Sequence, residues 1–344
     1  MIAHPSDVSG DGSVIVGRGQ SSLRDEAFRW QLGIGFAPLG DLSGGSFSSG
    51  ANGVSADGRF VVGYGVTTAG TEAFRWSAGT GMVALGALDP SRPDSIAHAV
   101  SADGSVVVGT SESIDGAEAF RWTSATGMVG LGDLPGRFWF SLGGGVSADG
   151  SVVVGRSVSS SGEEAFRWSA GSGIVGLGDL PGGTFWSEAV AASANGSVVV
   201  GSGNSPNGYE AFRWTSESGL VGLGDLPGGG FASAASDVSA DGSVIVGWGT
   251  YPFYDRAAFV WRPGQGMRPL TDVLAGLGVD MTGWNLESAI GVSDDGRWIV
   301  GQGYRFGQPR MYLAHLPEPD LSLLIPIGCL EIARRARRRR GVSR

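Results

Sequence analysis

Hydrophobic residues along this chain fall into a few short patterns, and each returns every 46 residues. The first is Val-Ser-x-Asp-Gly-Ser-Val-Val-Val-Gly, in which β-branched residues follow an Asp-Gly step. That order predicts a hairpin, because Gly takes the left-handed turn position at no steric cost. The Val runs are apolar at successive positions, so both faces of that strand should be covered. The second pattern, Glu-Ala-Phe-Arg-Trp, alternates: Glu, Phe and Trp share one face of a strand, Ala and Arg the other. The third, Gly-Met-Val-Gly-Leu-Gly-Asp-Leu-Pro-Gly-Gly, reads as a short strand broken by Gly and Pro. Each repeat therefore predicts about four short strands.

The 46-residue spacing holds through the first six turn copies and lengthens to 54 before the last. The turn Asp recurs at 11, 57, 103, 149, 241 and 295, with Asn195 in the fifth copy. The aromatic strand ends at Trp30, Trp76, Trp122, Trp168 and Trp214, and a variant ends at Trp261. Leu-Gly-Asp-Leu recurs around Leu39, Leu131, Leu177 and Leu223, with Leu85-Gly86-Ala87-Leu88 as a variant. Four antiparallel strands every ~40–50 residues are the mark of a propeller blade. Radial closure also shields sheet edges that an open stack would expose. The expectation is an all-β, seven-bladed β-propeller over residues 1–316, with a β-solenoid as the structural alternative.

Seven hairpins and six aromatic strands are plain, and Met311-Tyr312-Leu313 stands in for the seventh. Only six Leu-Gly-Asp-Leu strands exist, the sixth degraded to Leu270-Thr271-Asp272-Val273-Leu274. One blade at the seam is thus expected to lack a strand. Residues 1–4 run directly into repeat sequence with no signal peptide, so the missing strand and an export signal are expected ahead of Met1.

Composition sharpens this picture. Gly accounts for 62 of 344 residues without a three-residue period, which fits many tight turns rather than collagen. All 24 basic residues are Arg, seven of them in the last eleven positions. The first 333 residues therefore hold 17 Arg against 33 acidic residues, and such a body repels phosphate backbones. No nucleic-acid partner is expected. The single cysteine, Cys329, permits no disulfide within the chain.

Candidate chemistry has to break the repeat. His4, His98 and His315 lie in different repeats and read as isolated surface or loop residues. No nucleophile elbow, phosphate loop or zinc motif is present. One carboxylate per Ser-x-Asp-Gly turn is thin for calcium, and neither cofactor nor metal is expected. The repeated Arg29, Arg75, Arg121, Arg167 and Arg213 should each face an Asp, since an unpaired buried charge is costly. The partner is either the turn residue (Asp11, Asp57, Asp103, Asp149) or the Leu-Gly-Asp-Leu residue (Asp41, Asp133, Asp179, Asp225).

Aromatics off the structural register are more suggestive. The column Phe47, Pro93, Trp139, Phe185, Phe231 reads as packing between blades. Beside it, single repeats add Phe138, Phe140 and Trp186 with Glu188 nearby, and the sixth adds Trp248, Tyr251, Phe253 and Tyr254. Trp139, Phe140, Trp186, Glu188, Tyr251 and Tyr254 form the candidate ligand-binding set. Flat apolar rings with polar neighbours suit sugar rings or a protein partner, inter-blade packing being the alternative.

The motifs Ala-Phe-Arg-Trp, Gly-x-Leu-Gly-Asp-Leu-Pro-Gly-Gly and Val-Ser-Ala-Asp-Gly-Ser-Val-Val-Val-Gly together resemble the HAF-type extracellular repeat proteins of bacteria. The stretch from Leu277 to Trp284, leading to Gly291-Val292-Ser293-Asp294-Asp295-Gly296, is similar to that family's closing repeat. The likeness covers residues 6–315 and implies a surface or secreted protein. Pro317-Glu318-Pro319, an apolar stretch over 321–333 and the cluster Arg334, Arg335, Arg337, Arg338 resemble a PEP-CTERM sorting signal. That resemblance implies membrane insertion and handling by an exosortase-type transpeptidase, with residues 317–344 as the sorting tail. The apolar stretch, interrupted by Pro326 and Glu331, falls short of the ~20 residues that span a bilayer. Its Arg-rich end matches a cytoplasmic flank.

These readings give two expectations of function. The first is a non-catalytic, exported or cell-surface propeller whose loops bind a partner protein or glycan. The alternative is a polysaccharide-acting propeller enzyme, a lyase or glycoside hydrolase, with Glu188, Asp94 or Asp237 as acid and base.

Overall fold

In a computed structural model, the chain is described over residues 2–20, 24–136, 138–252 and 254–317. The repeat folds as its pattern asks. Blade 2 comprises Ser49–Val54, Phe60–Val66, Thr71–Ser77 and Gly81–Ala84, paired in sequence order as an antiparallel meander. The other blades span 2–40, 95–130, 141–178, 187–222, 233–269 and 284–315. Six sheets have four strands, and the seventh has three: Trp284–Val292, Trp298–Arg305 and Gln308–His315. Seven blades in a ring make a seven-bladed β-propeller, and among the described residues blade 7 lacks its outermost strand. Tyr312 fills the Phe position of that blade, fully buried and bonded through its hydroxyl to the Ser288 carbonyl at 2.9 Å.

The core lies between blades rather than within them. Val14, Val16 and Ala27 of blade 1 meet Ala51, Val61 and Phe74 of blade 2, and every other junction repeats this contact. At the seam, Val8, Ile15, Phe28 and Trp30 pack on Val300, Met311 and Leu313. A serine opening the first strand of blades 2 to 6 ties neighbours together: Ser95 Oγ accepts the Ala73 N–H at 2.9 Å and donates to the Gly86 carbonyl at 2.7 Å. Ser49, Ser141, Ser187 and Ser233 do the same at their junctions.

Two expectations are corrected. The repeated arginines form no ion pair with an Asp of their own blade. Arg29, Arg75, Arg121 and Arg167 each donate Nε to the carbonyl of the next blade's turn glycine, Gly58, Gly104, Gly150 and Gly196, at 2.9–3.2 Å. A planar guanidinium between two sheets reaches a backbone acceptor there without burying two charges. The turn Asp is occupied locally: Asp103 accepts the Ser101 hydroxyl at 2.7 Å and the Ser105 N–H at 2.9 Å.

The degraded sixth Leu-Gly-Asp-Leu motif is no strand either. Leu270–Gly276 forms helix α1, which packs Leu270 and Leu274 into the blade 6–7 core. In five repeats a glycine with φ of 78 to 84° (Gly40, Gly86, Gly132, Gly178, Gly224) turns the chain after the fourth strand. Thr271 replaces it, and a β-branched residue avoids that left-handed conformation.

Strand order gives the axis two distinct ends. The Ser-x-Asp-Gly turns lie at one. The second-to-third-strand turns and the connections between blades lie at the other, which we call the mouth.

Candidate binding site at the mouth

The two ends differ in how well the repeats agree. At the turn end, backbone N–H groups donate around the axis from Gly10 to Ala56, then Ala102, Ala148, Ala194, Ala240, Asp294 and back to Gly10, each at 3.0–3.1 Å. The residues lining the small cavity there, about 130 Å³, are mostly Ala and Val. Asp7, Asp237 and Asp294 are the exceptions. Asp7 accepts N–H groups from Val8 and from Val54 of the next blade; Asp237 likewise accepts from Val238 and Val292. Both stand deep in the protein, with only the cavity before them. Burial, then mutual charge, pushes Asp7 up to about 8, and burial pushes Asp237 up to about 7.

At the mouth the repeats disagree. Each first strand carries a bulge there, and the bulged residues are Ser6, Asn52, His98, Gly144, Val190, Ser236 and Ile290. The next ring outward, at the end of the second strands, runs Arg18, Tyr64, Thr110, Arg156, Ser202 and Trp248. Repeated blades face identical folding demands, so this divergence at the mouth is not a demand of the fold.

Across blades 4, 5 and 6 these divergent residues join into a continuous arc. Phe140 lies 5.7 Å from the Arg156 guanidinium, which bonds Glu163 at 3.0 Å. Trp186 Nε1 donates to the same Glu163 carboxylate at 3.3 Å. Trp186 meets Tyr209 with ring centres 5.6 Å apart, and Tyr209 lies nearly parallel to Trp248 at 6.3 Å. Arg256 covers Trp248 at 3.9 Å. The Tyr209 hydroxyl is held by Ser202 at 2.6 Å, and burial, with help from Glu188, keeps this phenol protonated well above neutral pH. Glu188 stands 4.0 Å from Arg156 and turns toward the axis.

There Glu188 also lines an axial pocket of about 330 Å³ with Ser6, Asn52, His98, Leu142, Gly144 and Val190. His98 is open to this pocket rather than isolated on the outer surface, and burial lowers its proton affinity. The imidazole is therefore neutral at neutral pH, one nitrogen donating and one accepting.

The structure thus unites Phe140, Trp186 and Glu188 of the expected set. Trp139 lies on the connection into blade 4 and, with Phe138, is about two-thirds exposed (67% and 65%) instead of packing between blades. Tyr251 packs against the blade 5–6 core. Tyr254 opens the third strand of blade 6; its side chain, Phe253 and all sorting residues after Pro317 lie outside the described residues. Asp94 sits on the blade 2–3 connection, accepting the Thr71 N–H at 2.8 Å. Asp237 lies in the turn-end cavity, so neither shares a pocket with Glu188. Among the described residues, no group of three His, Cys, Asp or Glu side chains could hold a metal ion. Arg156, Tyr209, Arg256 and Asn52 escaped the sequence reading, and His98 lines the axial pocket where the sequence reads an isolated residue.

Fold and site together define a repeat-built β-propeller with one differentiated face. No protein-family model and no curated protein matches the sequence. Solved structures do. An oligogalacturonate lyase in complex with manganese superposes with a TM-score of 0.59 at 15% identity, over 92% of this chain and 91% of that one. The β-propeller domain of the trilobed protease from Pyrococcus furiosus, described as having an open velcro topology, gives 0.55 at 9% identity over 93% and 97%. TolB from Acinetobacter baumannii gives 0.46 at 18%; the match spans 64% of this chain and only 53% of TolB. At such identities the likeness is one of fold.

Proposed function

We propose that this chain is a non-catalytic binding propeller, exported or displayed at a cell surface, whose mouth takes a glycan or a partner protein. The observation that carries the reading is the arc from Phe140 to Arg256, which joins three blades; its Arg156–Glu163 pair has a counterpart in Arg18–Asp25 of blade 1, but the Trp186–Tyr209–Trp248 strip recurs at no other junction among the described residues. Aromatic surface flanked by balanced charges is recognition chemistry: the rings supply area, the rim supplies direction. Glu163 is engaged in holding that surface by Arg156 and Trp186, and Asp237, at the turn end, is held by two backbone donors. This arrangement favours binding over acid–base work by Glu188, Asp94 and Asp237. Export and exosortase handling of residues 317–344 rest on the resemblance of that tail.

Screening residues 1–317 on glycan and protein arrays tests the binding role, with Trp186→Ala and Trp139→Ala alongside. Trp186→Ala should abolish the signal. Binding indifferent to that change would remove the site.

A further inference from the structure

The chemistry of the axial pocket goes one step further than the arc, on the reading that the mouth binds a ligand. The arc contributes two guanidiniums and two carboxylates. Arg156 is bound to Glu163 and faces Glu188, while Arg256 is spread over Trp248. The pocket itself offers uncharged groups of both polarities. Asn52 gives its amide to the Ala97 carbonyl at 2.8 Å and keeps its own carbonyl; Ser6 and His98 each donate and accept. Nearby, Thr110 Oγ1 and Arg156 Nε are buried without a hydrogen-bond partner. Orphaned buried polar atoms are costly and mark places where an outside group completes the bonding. Thr110 lies opposite Ile96 and Arg156 opposite Leu142, so both orphans belong to the mouth ring.

From this juxtaposition we infer that the ligand is a neutral saccharide chain whose terminal ring enters the axial pocket beside Glu188, with the following rings on the Trp186–Tyr209–Trp248 strip. Sugar hydroxyls donate and accept at once, which matches a pocket of mixed, uncharged polarity. Their C–H faces match the aromatic strip. A uronate would bring its carboxylate against Glu188, whose neighbouring cation, Arg156, already pairs with Glu163, and an unpaired charge is expensive to desolvate. A volume of about 330 Å³ is at the low end of small-molecule sites, about 300–1,000 Å³, and suits one ring rather than a threaded polymer. Walls from five successive blades leave the rest of the chain to exit past Glu188.

Calorimetry on residues 1–317 tests this with cello-, manno-, xylo-, malto- and chito-hexaose against a galacturonate hexamer. At least one neutral hexaose should bind, with the galacturonate weaker by about ten-fold or more. Val190→Trp, which plugs the pocket, and His98→Leu, which removes its polarity without bulk, should each weaken that binding by about ten-fold. The bulge column already varies in size among blades, and circular dichroism checks that both variants fold. Equal affinity for the uronate, failure of every neutral hexaose, or indifference to both pocket variants would overturn the inference. Loss on Trp186→Ala with no effect of the pocket variants would leave the arc standing and remove only the inserted ring. The reverse pattern would remove the arc instead.

Discussion

The amide of Asp294 donates to the carbonyl of Gly10 at 3.0 Å, and this contact joins the last blade to the first. It is the seventh member of a ring of equivalent bonds, one per junction. Blade 7 has three strands, so closure at the seam rests on this bond and on the apolar contact of Ile15 and Phe28 with Met311 and Leu313.

The Gly10–Asp294 junction departs from its six counterparts, where Ala occupies one or both positions. A Cβ on Gly10 would lie 2.2 Å from Asp294 Oδ2. Gly10→Ala should therefore destabilise the protein by about 1–3 kcal/mol, the usual cost of overpacking. Adding Asp294→Ala rebuilds the Ala–Ala contact found elsewhere and should recover the loss to within about 0.5 kcal/mol. Urea denaturation of the four proteins of this double-mutant cycle measures the coupling. An additive result would deny the steric link.

Stability should depend on pH with two opposing arms. Asp7 and Asp237 are raised in the fold, so the native state holds protons that the unfolded chain has released. Their contribution is full below the unfolded value of 3.8 and is lost as pH rises toward about 8 and about 7. The turn carboxylates act in the other sense. Asp149 is held down at about 2 by the Ser151 N–H and then the Ser147 and Ser151 hydroxyls, and its contribution is lost as pH falls from 3.8 through 2. Stability should peak at about pH 4 to 5. Asp237→Ala, the residue at 99 and 191, should flatten the alkaline arm between pH 5 and 8 in urea titrations; an unchanged slope would contradict the assignment.

The inter-blade arginines should not be equivalent. Arg75 donates to Gly104 at 2.9 Å and stacks on Phe60 at 3.8 Å, whereas Arg213 Nε has no partner. Arg75→Leu should cost about 1–2 kcal/mol, a net hydrogen bond plus lost packing. Arg213→Leu should cost less than half of that. Thermal unfolding of the pair decides; equal losses would mean the carbonyl bond contributes nothing.

The blades were legible because each requirement is local and repeated: an Asp-Gly turn, a Val run, an alternating aromatic strand. Blade count and the short seam blade followed from counting motifs. What the sequence hid was everything that crosses between blades. Arg29 reads as a charge in need of an Asp, because the acceptor, a glycine carbonyl 29 residues on, carries no side-chain signal. Phe140, Trp186 and Glu188 stood out by breaking their columns. Arg156, Tyr209 and His98 break theirs too, yet only closure of the ring shows that those columns share one end. Thr271 in place of a turn glycine could have announced α1.

Everything at the mouth hangs on a ring that closes through main-chain bonds. Amide hydrogen exchange, resolved at residues 10, 56, 102, 148, 194, 240 and 294, tests that most directly. Closure predicts that the Asp294 amide, the donor across the seam, is protected to within about ten-fold of Ala148 and Ala194. Exchange at the Asp294 amide about a hundred-fold faster or more would mean that the ring is open between blades 7 and 1.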